Sequence, residues 1–353
     1  MKLNFQLGLI KEIAKRIIKP SVSKINFSVT YACNQKCSTC GIWSTYVKTP
    51  LLKLKELTLE EYKEIFQKNK NVLWMSFTGG EPFLRKDFAN IVGSAVKMTG
   101  VKIINIPTNG QIRQKIVNDV KEILKSPKDF LLFISISLNG DPSVHNKISQ
   151  TPNSFNRAII TLQKLIEISK NEKRLIINIG YTFSKQNSGK LQDLVENLRQ
   201  NNINLGLEKY VFTVAQNSSY YNIQSKKEFL TPKNTLTEEL AQISTYYNSI
   251  NILKNPMDII RYSFLKMLTA KKTSACVALS HSCFVDPFGE VYPCIFMNHK
   301  LGNLKKENYD IEKIFKKSKN IKKKVGDCEG CLIPCETYQA IIFKPWILTK
   351  LIK

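Results

Sequence analysis

The sequence predicts an α/β protein: a partial (β/α)6 TIM-like barrel followed by a small, cysteine-rich α+β extension. Three observations predict it. Between residues 24 and 210 six short apolar runs alternate with longer helical patterns, which is the rhythm of βα units in a parallel sheet. Beyond Tyr210 that rhythm stops, and six of the nine cysteines fall within residues 276–335. The other three, Cys33, Cys37 and Cys40, share one loop directly after the first apolar run.

Taken in order, Ile10, Ile13, Ala14, Ile17 and Ile18 recur at helical spacing, with Lys11, Lys15, Arg16 and Lys19 on the other side and Pro20 ending the helix. This basic amphipathic helix, residues 1–23, is expected to lie on the outside of the barrel or on an anionic membrane surface. The barrel core, residues 24–212, has its strands at Ile25 to Thr30, Val72 to Thr78, Lys102 to Ile106, Leu131 to Leu138, Leu175 to Thr182 and Asn204 to Tyr210. Helices are expected near Thr58 to Asn69, Asp87 to Thr99, Gln111 to Lys125, Phe155 to Lys170 and Leu191 to Gln200, with Thr58 and the pair Asn187-Ser188 as capping residues. Six such units curl toward a barrel without closing an eight-stranded one, so the loops at the carboxyl ends of the strands share one rim.

Residues 213–275 read as a polar loop followed by two bridging helices, one marked by Leu236, Leu240, Ile243 and Tyr247, the other spanning Met257 to Ala270. In residues 276–340 the run Asp286-Pro287-Phe288-Gly289-Glu290 turns a hairpin that delivers Cys294 at the end of its second strand. The last segment, 341–353, is apolar and basic. Lys344, Pro345 and Lys350 break it short of the roughly 18 uninterrupted residues that a membrane span needs.

Composition narrows the function classes. At 353 residues with 43% hydrophobic and 23% charged content, the chain is globular rather than disordered. The net charge of +25 suggests an anionic partner, but only seven of the 53 basic residues are arginine. Nucleic-acid recognition favours the bidentate arginine fork, so the lysine excess reads as a solvated surface, and no nucleic-acid partner is expected. The start of the chain has neither the apolar core nor the cleavage site of a secretory signal, so a cytoplasmic location is expected, with peripheral contact at the inner membrane face as an extension of it. In a reducing compartment, clustered thiols point to metal or redox chemistry before disulfides.

Cys33, Cys37 and Cys40 are too few for a closed four-ligand zinc site, while thiols at this density suit iron-sulfur ligation with one iron left open. The spacing C-x-x-x-C-x-x-C resembles that of the radical S-adenosylmethionine enzymes, and the later strand ends carry further motifs of that superfamily. Gly79-Gly80-Glu81 is similar to its G-G-E motif, Thr108-Asn109-Gly110 to a common third-strand pattern, and Ser137-Leu138-Asn139-Gly140 to its S-L-D-G element. The resemblance implies that the three cysteines hold a catalytic 4Fe-4S cluster. It also implies that S-adenosyl-L-methionine binds beside the cluster, with Gly79, Gly80 and Glu81 at the methionine amino group and Thr108, Asn109, Ser137 and Asn139 at its other polar groups. Two positions depart from the pattern. Thr39 stands where an aromatic residue often precedes the third cysteine, with Trp43 nearby, and Asn139 replaces the aspartate of S-L-D-G.

The C-terminal block resembles the SPASM or twitch extension of that superfamily, with Cys276-x12-Gly289-x4-Cys294 fitting its first half. The second half is shortened to Cys328-x2-Cys331-x3-Cys335. One auxiliary 4Fe-4S cluster is expected there, on Cys276, Cys294, Cys328 and Cys331, with Cys283 and Cys335 in reserve. Zinc on the C-x-x-C knuckle is the competing reading. The chain is thus expected to be an iron-sulfur, oxidoreductase-like enzyme that cleaves S-adenosylmethionine reductively and abstracts a substrate hydrogen. The substrate is expected to be a peptide or protein, or else a membrane-associated lipid or sugar-bearing small molecule, and the electron donor a ferredoxin or flavodoxin. A zinc-stabilised basic nucleic-acid-binding protein without catalysis is the non-enzyme alternative.

Overall fold

The structure is a computed structural model and describes residues 3–215, 220–221, 233–251, 255–270, 276–318, 321, 325 and 333–346. Its centre is a sheet of nine strands in the order β6-β5-β4-β3-β2-β1-β7-β8-β9. Strands β1 (Lys24–Ser28), β2 (Trp74–Thr78), β3 (Ile103–Thr108), β4 (Leu131–Ser137), β5 (Leu175–Phe183) and β6 (Tyr210–Val214) run parallel. The helices α1 (Leu3–Ile18), α2 (Ser44–Lys48), α3 (Leu59–Lys68), α4 (Phe88–Met98), α5 (Arg113–Leu124), α6 (Pro142–Ser149), α7 (Ser154–Asn171) and α8 (Leu191–Gln200) accompany them.

Alternation along the strands decides the two faces. Ile25, Phe27, Met75, Phe77, Ile104, Ile134 and Ile179 are wholly buried in the apolar core. There Phe27 stacks on Phe77 at 5.6 Å and meets Tyr62 and Phe66 of α3 edge-on. The alternate positions are polar: Asn26, Ser76 and Asn105 lie in one register row across β1, β2 and β3, and Ser135 pairs with Asn178 across β4 and β5. A barrel lumen is ordinarily packed with branched apolar residues, and here Asn26, Ser76, Asn105 and Asn178 stand among the apolar lining of Trp74, Ile103, Phe133 and Val211.

Beyond the barrel, α9 (Lys233–Ser249) and α10 (Pro256–Ala270) lead to β7 (Ser282–Val285), β8 (Glu290–Tyr292) and β9 (Gly302–Asn303), then α11 (Ile311–Lys317) and α12 (Pro334–Phe343). The expected hairpin is present, with Gly289 at φ 82° in its turn. Its first strand goes further than expected: β7 pairs in parallel with β1, Lys24 opposite Ser282, so the extension continues the barrel sheet. On the open side, α12 touches β6, and Lys24 Nζ of β1 donates to the Cys335 carbonyl at 2.8 Å.

Four expectations need correction. The sixth strand is Tyr210–Val214 and not Asn204 to Tyr210, because the left-handed Asn202 (φ 58°) and the 3-10 turn Leu207–Lys209 occupy the earlier stretch. Its alternating aromatic and β-branched residues are the better strand former. Helix α6 was not anticipated, although Asp141 caps it through Ser143 N–H and Pro142 opens it. Asn187 does not cap α8. Its side chain instead ties the β5 exit together, donating to the carbonyls of Asn139 and Thr182 and accepting from Ser184 N–H. In α1 the buried residue is Arg16, which donates to the Asn71 carbonyl and to Glu12, while Ile10, Ala14 and Ile18 are exposed. The Thr58 cap is as expected, with Glu61 completing a capping box.

Candidate active site

The cysteine loop is placed by hydrogen bonds to the loop that follows β2. Gly80 N–H donates to the Thr30 carbonyl and Glu81 N–H to the Ala32 carbonyl, both at 2.8 Å, which extends the β1–β2 pairing up to Cys33. Two glycines are required here. Gly79 has φ 150°, and a Cβ on Gly79 or Gly80 would overlap the carbonyl oxygen of Thr30 or Ala32.

Above the lumen lies a cavity of about 330 Å³. Cys33, Cys37 and Cys40 line it together with Gly80, Thr108, Asn109, Ser137 and Asn139, so most of the expected site residues from four separate strand ends do meet. Gly79 and Glu81 are not part of the lining. The Glu81 carboxylate turns inward instead, accepting from Thr108 Oγ1 at 2.8 Å, Asn109 N–H at 2.7 Å and Phe83 N–H at 3.3 Å. Burial raises its pKa to about 7 against the lowering effect of these donors. Asn139 is also engaged, its Oδ1 accepting from Thr182 N–H at 2.9 Å. Trp43 is absent from the lining and has Lys36 Nζ 5.8 Å over its ring, while Thr39 lines the cavity.

Two lining residues were missed by sequence reasoning. His145 on α6 accepts from Asn139 N–H at Nδ1 (3.2 Å), which leaves the proton on Nε2, a buried atom with no hydrogen-bond partner among the described residues. Burial lowers its pKa to about 4, so the ring is neutral. The Asp-Pro-Ser start of α6 was the signal that could have found it. Gln35, inside the cysteine loop, likewise has an unpartnered buried Nε2.

The donor set fits an iron-sulfur cluster. Burial pushes the thiol pKa of Cys33 to about 11 and that of Cys40 to about 12, with Cys37 raised further, and the three thiols repel one another as thiolates. A bound cationic metal centre reverses that penalty. Asn109 Nδ2 stands 3.9 Å from Cys33 Sγ as a second-sphere donor. Among the described residues the thiols line the cavity without converging on one point.

In the extension, Cys276 packs on the small cluster that contains Cys294, and Cys294 interacts electrostatically with Cys276 and Cys335. Cys283 lies within β7, where among the described residues its charged neighbours are Glu336 and Glu312 and no thiol. Cys328 and Cys331 lie outside the described residues.

The parallel-stranded barrel, the thiol loop at its rim and the thiol-bearing hairpin define an iron-sulfur protein of the radical S-adenosylmethionine class. The chain belongs to the Radical SAM superfamily, whose profile matches residues 27–198, and carries a SPASM iron-sulfur cluster-binding domain at residues 276–338. Enzymes of this class use 4Fe-4S clusters and S-adenosyl-L-methionine. Among curated relatives, the antilisterial bacteriocin subtilosin biosynthesis protein AlbA of Bacillus subtilis (strain 168) is 22% identical, over 80% of this chain and 58% of its own length. The GTP 3',8-cyclase of Haemophilus influenzae (strain Rd) is 28% identical over 43% of each chain. The chain thus spans about half the length of these relatives. The solved structure of native anSMEcpe with bound AdoMet and Kp18Cys peptide superposes with a TM-score of 0.60 at 17% identity, over 94% of this chain and 98% of that one, which shows a shared fold. Among the described residues no helix is long and apolar enough to cross a membrane.

Proposed function

We propose that the protein is a radical S-adenosylmethionine enzyme that modifies a peptide or protein. The observation that carries this reading is the continuity of the thiol cavity with the lumen: Thr78, Asn105, Pro107, Val211 and Thr213 line both. A substrate group in the lumen would therefore stand directly beneath a cofactor held at the rim. Bound there, a 4Fe-4S cluster with S-adenosylmethionine supplies a 5'-deoxyadenosyl radical that takes a hydrogen atom from the substrate.

The chain's own residues bind and orient. Cys33, Cys37 and Cys40 are the cluster ligands, Thr108, Asn109, Ser137 and Asn139 meet the cofactor's polar groups, and Gly79, Gly80 and Glu81 hold the rim that presents them. The neutral His145 offers Nε2–H to the same cavity. Cys276 and Cys294 belong to the auxiliary cluster, together with Cys328 and Cys331, and Cys335 is the electrostatic neighbour of Cys294.

A peptide substrate is favoured over a lipid because the lumen mixes the polar Asn26, Ser76, Asn105 and Asn178 with the apolar Trp74, Ile103 and Phe133, a combination that suits an amide-bearing side chain better than a bare acyl chain. The bacteriocin biosynthesis relative and the peptide held with AdoMet in the fold neighbour support the same choice. A ferredoxin or flavodoxin is the proposed electron donor. The exposed Leu7, Ile10 and Ile18 of α1, interspersed with lysines, are the proposed contact with an anionic membrane surface. The test is anaerobic reconstitution with iron and sulfide, reduction, and assay for 5'-deoxyadenosine. The parent is expected to produce it and Cys37→Ala to produce none, and equal yields would overturn the reading.

A further inference from the structure

Beneath the rim, at the end of the lumen where the strands begin, lies a second chamber of about 220 Å³. Lys24 and Arg261 line it, and among the described residues no carboxylate does. Both are buried, at 1% and 4% exposure. Lys24 Nζ sits 4.1 Å over the Trp74 ring and donates to the Cys335 carbonyl. Arg261 reaches in from α10, donating to Asn178 Oδ1 at 3.0 Å and to the Glu208 carbonyl.

The acids that balance these cations stand behind them. Glu336 is occupied by Ser282 Oγ at 2.7 Å and Asn26 Nδ2 at 3.3 Å, and Asp258 lies 3.6 Å from Arg261 Nη1. On the residues that line the chamber, several polar atoms are left without partners. Arg261 Nε, Trp74 Nε1, Ser76 Oγ and Asn26 Oδ1 are buried with no hydrogen-bond partner among the described residues. Apart from the Asn26 oxygen, each of these atoms can donate, and Lys24 adds further N–H groups. Buried polar groups are normally paired, and here several unpaired donors belong to residues that line one space.

We propose that this chamber is a recognition site for a carboxylate carried on an apolar stem, bound by Lys24 and Arg261 while its stem packs against Ile103 and Phe133. The acceptor-rich carboxylate complements the surplus of donors. With Glu336 and Asp258 behind the cations, a single negative charge suits the chamber better than a phosphate dianion. The substrate would thus be anchored at the strand starts while its reacting carbon lies under the rim. The assignment rests on the peptide reading only in that the substrate enters the lumen, and it names an acidic side chain or a free C-terminal carboxylate as the group anchored.

The test titrates 3-phenylpropionate and 3-phenylpropionamide into the full-length, cluster-loaded protein with S-adenosylmethionine present, read by calorimetry. The carboxylate is expected to bind at least tenfold more tightly than the amide. Lys24→Met should remove that preference, and Ser76→Ile, which fills the chamber without touching a charge, should weaken both ligands at least tenfold. Should Lys24→Met fail to fold, Ser76→Ile and Arg261→Gln carry the test. Equal binding of acid and amide, binding of neither, or no effect of Ser76→Ile would overturn the proposal. Acetyl-Phe-Asp-amide and acetyl-Ala-Phe with a free terminus then separate side chain from C terminus, and binding of either supports the site. Substrate-free formation of 5'-deoxyadenosine is measured in the same preparations. Its presence without carboxylate binding sinks this inference alone, and its absence sinks the radical reading.

Discussion

The carboxylate of Glu81, one strand away from the cysteine loop, is the acceptor for the backbone N–H of Asn109 at 2.7 Å. Glu81 and Asn109 come from different βα units, and Asn109 in turn donates through Nδ2 to Asn34 Oδ1 at 2.7 Å inside the cysteine loop. Three strand ends are therefore coupled through one buried acid.

Replacing it by Glu81→Gln tests that coupling. In the iron-free protein the folded carboxyl titrates near pH 7 against an ordinary value of 4.5. A raised carboxyl pKa contributes stability that is full below about pH 4.5 and is lost as pH rises through 7. The parent's melting temperature should accordingly carry a falling component between pH 4.5 and 7 that the glutamine variant lacks. Affinity of the reconstituted variant for S-adenosylmethionine should also drop about tenfold, through the weakened hold on Thr108 and Asn109 of the cavity lining, since a hydrogen bond to a charged group is worth about 1.5–3 kcal/mol. Parallel pH curves would show that the acid does not titrate as described.

Gly80→Ala is expected to be far worse than a glycine change on the surface. The new methyl group meets the Ala32 carbonyl, so the Gly80–Thr30 and Glu81–Ala32 hydrogen bonds must lengthen. A loss of about 2 kcal/mol or more in denaturant unfolding is expected, together with reduced iron uptake. Gly93→Ala, on α4 with open space around it, is the control and should be neutral or slightly stabilising.

The thiols of the extension should separate by iron content. With Cys33, Cys37 and Cys40 all replaced by alanine, about four irons should remain, the content of one 4Fe-4S cube. Adding Cys294→Ser should remove them, while adding Cys283→Ser should not, because no thiol among the described residues neighbours Cys283. Zinc in place of iron in the triple variant would overturn the auxiliary cluster.

Vesicle sedimentation checks α1. The parent should bind anionic vesicles at low salt and dissociate as salt rises, each lysine near the surface contributing about 1 kcal/mol. Changing Leu7, Ile10 and Ile18 to glutamate should abolish binding without unfolding the protein, because all three are exposed. Equal binding by parent and variant would remove the membrane from the account.

Much of this was legible in the sequence because it rests on local chemistry. The strands β1 to β5 alternate strongly, Thr58 and Glu61 make a self-contained cap, and the three thiols sit within one segment of eight residues. What stayed hidden depends on distant partners. Nothing near Glu81 announces that its acceptors would be spent on Thr108 and Asn109 rather than on a ligand. Lys24 reads as a polar residue ahead of a strand, and only the approach of Cys335 and Trp74 makes it a buried cation. The sixth strand was misplaced because Ile203, Leu205 and Leu207 mimic an alternating strand one turn too early.

The parallel pairing of β1 with β7 joins residues separated by 258 positions, as Ser23 and His281 are. Closing so long a loop is slow, and the early strand keeps one bare edge until the later one exists. At roughly 5–20 residues per second a ribosome takes on the order of 15–50 s to cover that distance. Throughout that interval the cysteine loop hangs from a strand fastened on one side only. The order of synthesis therefore delays a rigid iron site until the extension emerges, and insertion of the cluster before that moment would meet a loop still free to adapt.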